Sequence, residues 1–261
     1  MIKKNHIETL YLIVLGTFSS FSLPPYNFFL INFVTFSLFF IFLYKKSISH
    51  KNLINFFFYG WLFGFGYFLS NLYWISISLT FDENFKFLIP ITLTLIPTFL
   101  AIFYGVPCFL FILFKSNELI KSLLIFSLLF GIFEFIRGSI LTGFPWNLIV
   151  FSFLNQLEIL SIISVLGTYG LNLLCITFFT CPAIYLLKKN KKNFSFCIIT
   201  LFIFLSFYFN GLSYKKKFND SDQVKFNHKV RLIGSNVSLD RFYVDINNTQ
   251  IIKDLIKISS P

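Results

Sequence analysis

Charge is scarce in this chain. Only 13% of its 261 residues are Asp, Glu, Lys or Arg, where a soluble domain carries about 25%. That is too little to cover a water-facing surface, which excludes an ordinary soluble globule. Acid is scarcer than base, 11 residues against 22, for a net charge of +11. The excess does not point to nucleic acid, because the lysines fall in short clusters between apolar runs and not on one face or tail. Histidine is nearly absent: His6, His50 and His228 lie scattered in polar segments and offer no metal site. The four cysteines, Cys108, Cys175, Cys181 and Cys197, all sit inside apolar runs with no C-x-x-C spacing and no neighbouring His. They read as small buried hydrophobes. No cofactor is implied. The chain has no internal repeat, and a transporter built from repeated halves is disfavoured on that ground.

What is present is grease. Hydrophobic residues make up 56% of the chain, with 41 phenylalanines and a mean hydropathy of +0.75. A bilayer core of about 30 Å needs about 20 apolar residues per helix. Seven segments meet or approach that length: 8–23, 27–44, 53–80, 87–114, 119–137, 157–187 and 194–212. The expected fold is therefore an α-helical polytopic membrane protein of about seven transmembrane helices, residues 1–212. The first apolar run resembles a signal peptide, but a second run starts directly after "LPPY" (Leu23–Tyr26), which favours a tight helical hairpin closed by Pro24 and Pro25.

The lysines orient this map. With the N-terminus cytoplasmic, the inner loops hold eleven lysines and the outer loops before residue 213 hold only Lys86 and Arg137, a strong positive-inside bias. Seven spans then place everything after Gly211 on the far side, the periplasm of a Gram-negative cell whose inner membrane holds the protein. In the third span Gly60 and Gly64 form G-x-x-x-G with Gly66 beside them, a spacing that lets another helix approach closely. Gly167 and Gly170 of "GTYG" are assigned the same packing role.

The chemistry-bearing stretch is "EFIRGSILTGFPWN", Glu134–Asn147. Glu134 and Arg137 are three residues apart and so share a helix face; charges within a span are costly and face protein or water. Two readings stand: Arg137 meets a phospholipid phosphate with Glu134 orienting it, or Arg137 snorkels to the interface and Glu134 neutralises it. After it comes a corner in which Gly143 permits unusual φ, Pro145 fixes φ and Trp146 prefers the headgroup zone. The corner either anchors helices at the interface or walls a lipid entry path. Tyr73 and Trp74 lie near the same membrane surface.

Composition changes at Ser213. "SYKKKFNDSDQVKFNHK" is polar, "VRLIGSNVS" (Val230–Ser238) reads as a short buried strand, and "NNTQIIKDLIKISS" (Asn247–Ser260) has Ile251, Leu255 and Ile258 at helical spacing, with Asn248 as a candidate cap. One strand and one helix cannot bury a core alone. Residues 213–261 are accordingly expected to be the opening of an incomplete α/β domain.

In order along the chain, "SFSLPPYNFF", "GFGYFLSNLYWISISL", "FEFIRGSILTGFPW", "LSIISVLGTYGLNLL" and "VRLIGSN" resemble the bacterial apolipoprotein N-acyltransferases over nearly the whole chain. The pattern from Glu134 to Trp146 is the most specific part. The resemblance implies eight spans, with a periplasmic nitrilase-like (carbon–nitrogen hydrolase) domain before the last. It implies transfer of a phospholipid acyl chain to a catalytic Cys and then to the N-terminal diacylglyceryl-cysteine of a lipoprotein. Glu would serve as base, Lys would stabilise the oxyanion and Cys would be the nucleophile. None of the three is assignable here, because the family places them beyond the position of "KISSP". The chain also departs from the family: Gly234-Ser235-Asn236 stands where Q-G-N is usual, and Phe242 or Tyr243 where Trp is favoured.

The resemblance therefore implies the membrane half of such an enzyme, inactive by itself. Its catalytic half would be separately encoded, or lost by frameshift or decay. Membrane phospholipid and a diacylated lipoprotein are the implied partners. Candidate lipid or interface residues are Glu134, Arg137, Pro145, Trp146, Trp74 and Tyr243. The alternative is a non-catalytic membrane protein that binds lipid or a partner subunit.

Overall fold

The protein is described here by a computed structural model covering residues 2–49, 52–141, 143–220, 232, 234 and 248–259. The chain begins with an antiparallel hairpin, α1 (Ile2–Ser20) and α2 (Ile31–Ser49), followed by α3 (Leu53–Asn71). Asn52 starts α3 by accepting from the backbone N–H groups of Ile54 and Asn55 at 3.0 and 3.4 Å, which satisfies two donors that the helix itself cannot. Two tighter helical turns, Tyr73–Thr80 and Glu83–Leu88, lead to α4 (Ile89–Leu100) and α5 (Ile102–Phe114). Then come α6 (Leu119–Ser139), α7 (Leu157–Leu160), α8 (Ile163–Thr180), α9 (Pro182–Leu187), α10 (Lys191–Asp220) and α11 (Asn248–Ser259).

Six stretches of the described residues are long and apolar enough to cross a membrane: Ile31–Ser49, Leu53–Asn71, Glu83–Phe114, Leu119–Ser139, Ile163–Leu187 and Lys191–Asp220. The run at 8–23 corresponds to α1, a 19-residue helix that is not among the six. Three expected spans differ in detail. The third leaves α-helical geometry after Asn71. The fourth is divided at Ala101, with Pro97 and Pro107 inside its two halves, where each proline removes a backbone donor. The sixth is broken at Gly167 (φ 71, ψ 164) and again before Pro182. The helix of the seventh expected span, α10, continues past Ser213 to Asp220. The strand expected at 230–238 lies outside the described residues apart from Leu232 and Gly234, whereas the expected C-terminal helix is present as α11.

Side-chain ties define two ends of the bundle. At the lysine end Lys46 pairs with Glu8 at 2.6 Å, Lys115 donates to Ser47 at 2.6 Å, and Lys192 reaches Glu118 at 3.7 Å. At the opposite end, here called the corner end, Ser20 bonds Ser70 at 2.7 Å and Lys215 of α10 pairs with Glu158 of α7 at 2.8 Å. That ammonium holds the Glu158 carboxyl below its ordinary pKa.

Lipid tails are as apolar as any side chain, so helices in a bilayer associate through close packing and not through burial from water. Phenylalanine supplies that packing. Phe39 stacks on Phe63 at 4.2 Å, Phe126 lies 4.5 Å from Phe130, and Tyr104 meets Phe130 and Phe68 at 5.3 Å each. The chain of rings runs from the middle of the bundle toward Glu134. Small residues bring the backbones together. A Cβ at Gly60 would lie 2.2 Å from the Tyr104 carbonyl oxygen, and one at Gly66 would lie 2.2 Å from that of Ile13. The G-x-x-x-G of α3 is therefore a contact with α5, while Gly66 serves α1. Gly167 and Gly170 do not share this role. Among the described residues a Cβ at Gly167 meets nothing within 4 Å and one at Gly170 only Leu166 at 3.7 Å, so the need at Gly167 is its positive φ.

Gly60→Val should force α3 from α5 and destabilise the bundle by about 1–3 kcal/mol, the usual cost of overpacking. Gly170→Ala should leave it unchanged. Thermal unfolding in detergent followed by circular dichroism compares the two; equal stability of both variants would contradict the packing assignment.

Candidate functional site

The last turn of α6 carries Glu134 and Arg137, and the chain then reverses. Gly143 sits at φ 80, Leu141 at φ 52 and Asn147 at φ 64. The reversal is closed by backbone bonds from Gly143 N–H to the Ile140 carbonyl at 2.8 Å and from Phe144 N–H to the Arg137 carbonyl at 3.0 Å. A Cβ on Gly143 would approach the Gly138 carbonyl oxygen to 2.4 Å, so this position needs glycine for both φ and space. The corner thus folds back onto the helix that leads into it.

Arg137 is the centre of this arrangement. Its side chain is 0% exposed and that of Glu134 is 2% exposed. Nε donates to Glu134 Oε2 at 3.1 Å and Nη2 donates to the same oxygen. Nη1 donates to the carbonyl oxygens of Phe144 and Trp146 at 2.6 and 2.9 Å. The guanidinium carbon lies 5.2 Å from the Phe68 ring and 5.9 Å from the Phe144 ring, within cation–π range. The arginine therefore does not snorkel. It is buried behind the corner and holds two of the corner's carbonyls.

The aromatic faces of the corner look the other way. Trp146 stacks on Trp74 at 5.4 Å and lies 6.1 Å from Phe144; both tryptophans and Pro145 are exposed. The tip is fastened to α3 at two points: Tyr67 donates to the Asn147 carbonyl at 2.7 Å, and Asn147 Nδ2 donates to Asn71 Oδ1 at 2.8 Å. On the far side Val150 N–H donates to Asn172 of α8 at 3.0 Å.

A cavity opens on either side of this wall. One, of about 520 Å³, lies between Trp74, Pro145, Trp146, Asn71, Asn147 and Tyr169. The other, of about 610 Å³, is bounded by α4, α5 and the Gly143–Phe144 side of the corner, and among the described residues Arg137 is the only charged one lining it. Both fall in the size range of lipid- and drug-sized sites, about 300–1,000 Å³. Among the described residues no cluster of His, Cys, Asp and Glu that could hold a metal is present.

The structure thus gathers five of the six candidate residues, Glu134, Arg137, Pro145, Trp146 and Trp74, at one corner. Tyr243 lies outside the described residues. Sequence reasoning included Asn147 in the corner but missed Tyr67 and Asn71, which bond it from 80 and 76 positions away in the chain. The only local sign was polarity at the ends of apolar runs.

Residues 15–181 match the family described as "Apolipoprotein N-acyltransferase N-terminal domain". Among similar proteins, the apolipoprotein N-acyltransferase of Rhizobium etli (strain CIAT 652) is 32% identical over 184 residues, covering 68% of this chain and 34% of the relative. That of Rhizobium leguminosarum bv. trifolii (strain WSM2304) is 31% identical over 201 residues, covering 75% and 38%. That of Rickettsia prowazekii (strain Madrid E) is 43% identical over 119 residues, covering 45% and 24%. The chain spans about a third of the length of the curated relatives it matches.

Arg137→Met strands the Glu134 carboxylate and should cost about 3–5 kcal/mol, as breaking a buried pair does. Adding Glu134→Leu should recover part of that loss, leaving the cost of the two unserved carbonyls. Unfolding curves of the single and double variants in detergent measure the difference. No recovery in the double variant would mean that the pair is not the source of the loss.

Proposed function

We propose a function from one premise: the chain belongs to the apolipoprotein N-acyltransferase family. It is a multi-pass membrane protein, and its work is to hold lipid for acyl transfer to the N-terminal diacylglyceryl-cysteine of a lipoprotein. The observation that carries this reading is the wall at the corner end, with an apolar cavity on each face and one buried arginine bonded to the backbone of both Phe144 and Trp146.

The cavity bounded by α4 and α5 takes the donor phospholipid. Its walls are hydrocarbon and aromatic, suited to an acyl chain. Arg137, sealed and paired with Glu134, braces the Phe144 wall of this cavity from behind. Pro145, Trp146 and Trp74 form the interfacial rim beside the headgroups, where amphipathic rings are favoured. Glu134 acts through Arg137 as a positioning residue.

None of the four cysteines of these residues is assigned the thiol of the transfer reaction. The four cysteines here lie in apolar helices or at the α8–α9 junction, and three of them are buried. None of the four borders either cavity.

The eleven lysines assigned to inner loops in the sequence orient the bundle. Counting α1 as a seventh span, the N-terminus is cytoplasmic in the inner membrane, and the corner faces the periplasm.

Two measurements test this. Spin-labelled phosphatidylglycerol added to the chain in nanodiscs should show a saturable immobilised fraction, reduced at least threefold by Phe144→Ala; an unsaturable signal would contradict the lipid site. A cysteine placed at Ser161 should react with a membrane-impermeant maleimide from outside the inner membrane, and one at Ser116 should not; the reverse pattern would invert the orientation.

A further inference from the structure

The corner and its two cavities leave the lysine end unexplained. Lys188, Lys189, Lys191 and Lys192 fall at the turn between α9 and α10 and in the first residues of α10. Asn193, itself buried, fixes that turn. Its Nδ2 donates to the carbonyls of Ile184 and Lys188 at 3.1 and 2.9 Å, and its N–H donates to Asn190 Oδ1 at 2.8 Å. Between the turn and the start of α6 is a polar pocket of about 170 Å³, whose walls include Asn117, Glu118, Lys188, Asn190, Lys192 and Asn193.

Charge is unbalanced there. Glu118 is shared by Lys121 at 3.5 Å and Lys192 at 3.7 Å. Among the described residues Lys188, Lys189 and Lys191 have no carboxylate partner. Five lysines thus gather about one acid. Lysine is strongly hydrated and by itself needs no ligand. These lysines, however, are bracketed by grease. Tyr185 and Leu186 before them and Phe194 after them are exposed, and the Tyr185 and Phe194 rings lie 5.7 Å apart. The two rings join the arms of the turn into an apolar shelf beside the cations. A fixed cluster of cations next to exposed rings complements an amphiphile with an anionic head. Basic pockets between membrane helices hold lipids that carry more than one phosphate.

We propose that the α9–α10 turn and the start of α6 bind a phospholipid with two phosphates and no amine, of the diphosphatidylglycerol (cardiolipin) class. Lys188 and Lys192 hold one phosphate at the pocket. Lys189 and Lys191, which do not line it, supply charge for the second. An acyl chain lies on the Tyr185–Phe194 shelf. The bound lipid joins α10 to α6 where the protein's own ion pair, Lys192 with Glu118, is long and exposed. The site uses neither the corner nor its cavities, and it does not depend on the acyltransferase reading.

The probes are spin-labelled cardiolipin and spin-labelled phosphatidylcholine, each added to the 261-residue chain in phosphatidylcholine nanodiscs. Cardiolipin should associate about fivefold more strongly or better, the effect of one or more basic residues near an anionic head. Lys188→Gln with Lys192→Gln should remove that preference. Lys188→Arg with Lys192→Arg should keep it. Lys3→Gln with Lys4→Gln, an equal loss of charge elsewhere in the chain, should also keep it. Equal immobilisation of the two lipids by the unsubstituted chain overturns the inference. An equal fall in the Lys3 and Lys4 variant overturns it too, since diffuse charge and not the pocket would then be responsible. Phe144→Ala should leave the cardiolipin preference intact; its loss there would place the lipid at the corner and overturn the inference. Each of the first two failures leaves the corner site standing, because that site is read separately with phosphatidylglycerol.

Discussion

A guanidinium in a membrane protein must have its charge neutralised and its donors used, and the way Arg137 meets both demands decides the shape of the corner end. One carboxylate oxygen takes Nε and Nη2, and the two corner carbonyls take Nη1. Lysine could neutralise Glu134, but its point charge lacks the planar fork that reaches Glu134 on one side and two backbone oxygens on the other. The bond to Trp146, nine residues further on, carries the effect beyond the helix. It fixes where the chain goes after α6 and hence which side of the wall each aromatic ring faces.

That clamp works only if the helices around it do not move. Between lipid-facing helices no water-driven force holds the bundle, so rigidity comes from interlocked rings and from glycines that bring backbones into contact. The path is continuous: α3 meets α5 through Gly60, Tyr104 of α5 meets Phe130 of α6 and Phe68 of α3, and Phe68 lies under the Arg137 guanidinium. A disturbance at the α3–α5 contact therefore reaches the ion pair through packed side chains without crossing a loop.

Much of this was legible in the sequence, for a physical reason: bilayer thickness imposes a length and an apolarity that composition alone displays. The Glu134–Trp146 stretch and the glycines of α3 were legible because their information is local, a three-residue spacing or a small side chain. What was not legible is depth and distance. An i, i+3 pair shows that Glu134 and Arg137 share a face, but not that the face turns inward. The positive φ of Gly167 was mistaken for packing because both uses call for the same residue. The bond between Asn71 and Asn147 joins positions with no shared pattern and exists only once the corner has folded back onto α3.

The position of the wall follows from that clamp. Arg137 is held behind the corner, so Phe144 lines one cavity and Trp146 the other while the guanidinium stays sealed and paired. An arginine exposed at the rim would have to complete its hydrogen bonds with water or an anion, and the two corner carbonyls it now serves would lose their donor. Burial of the charge and the course of the chain after α6 are therefore one constraint.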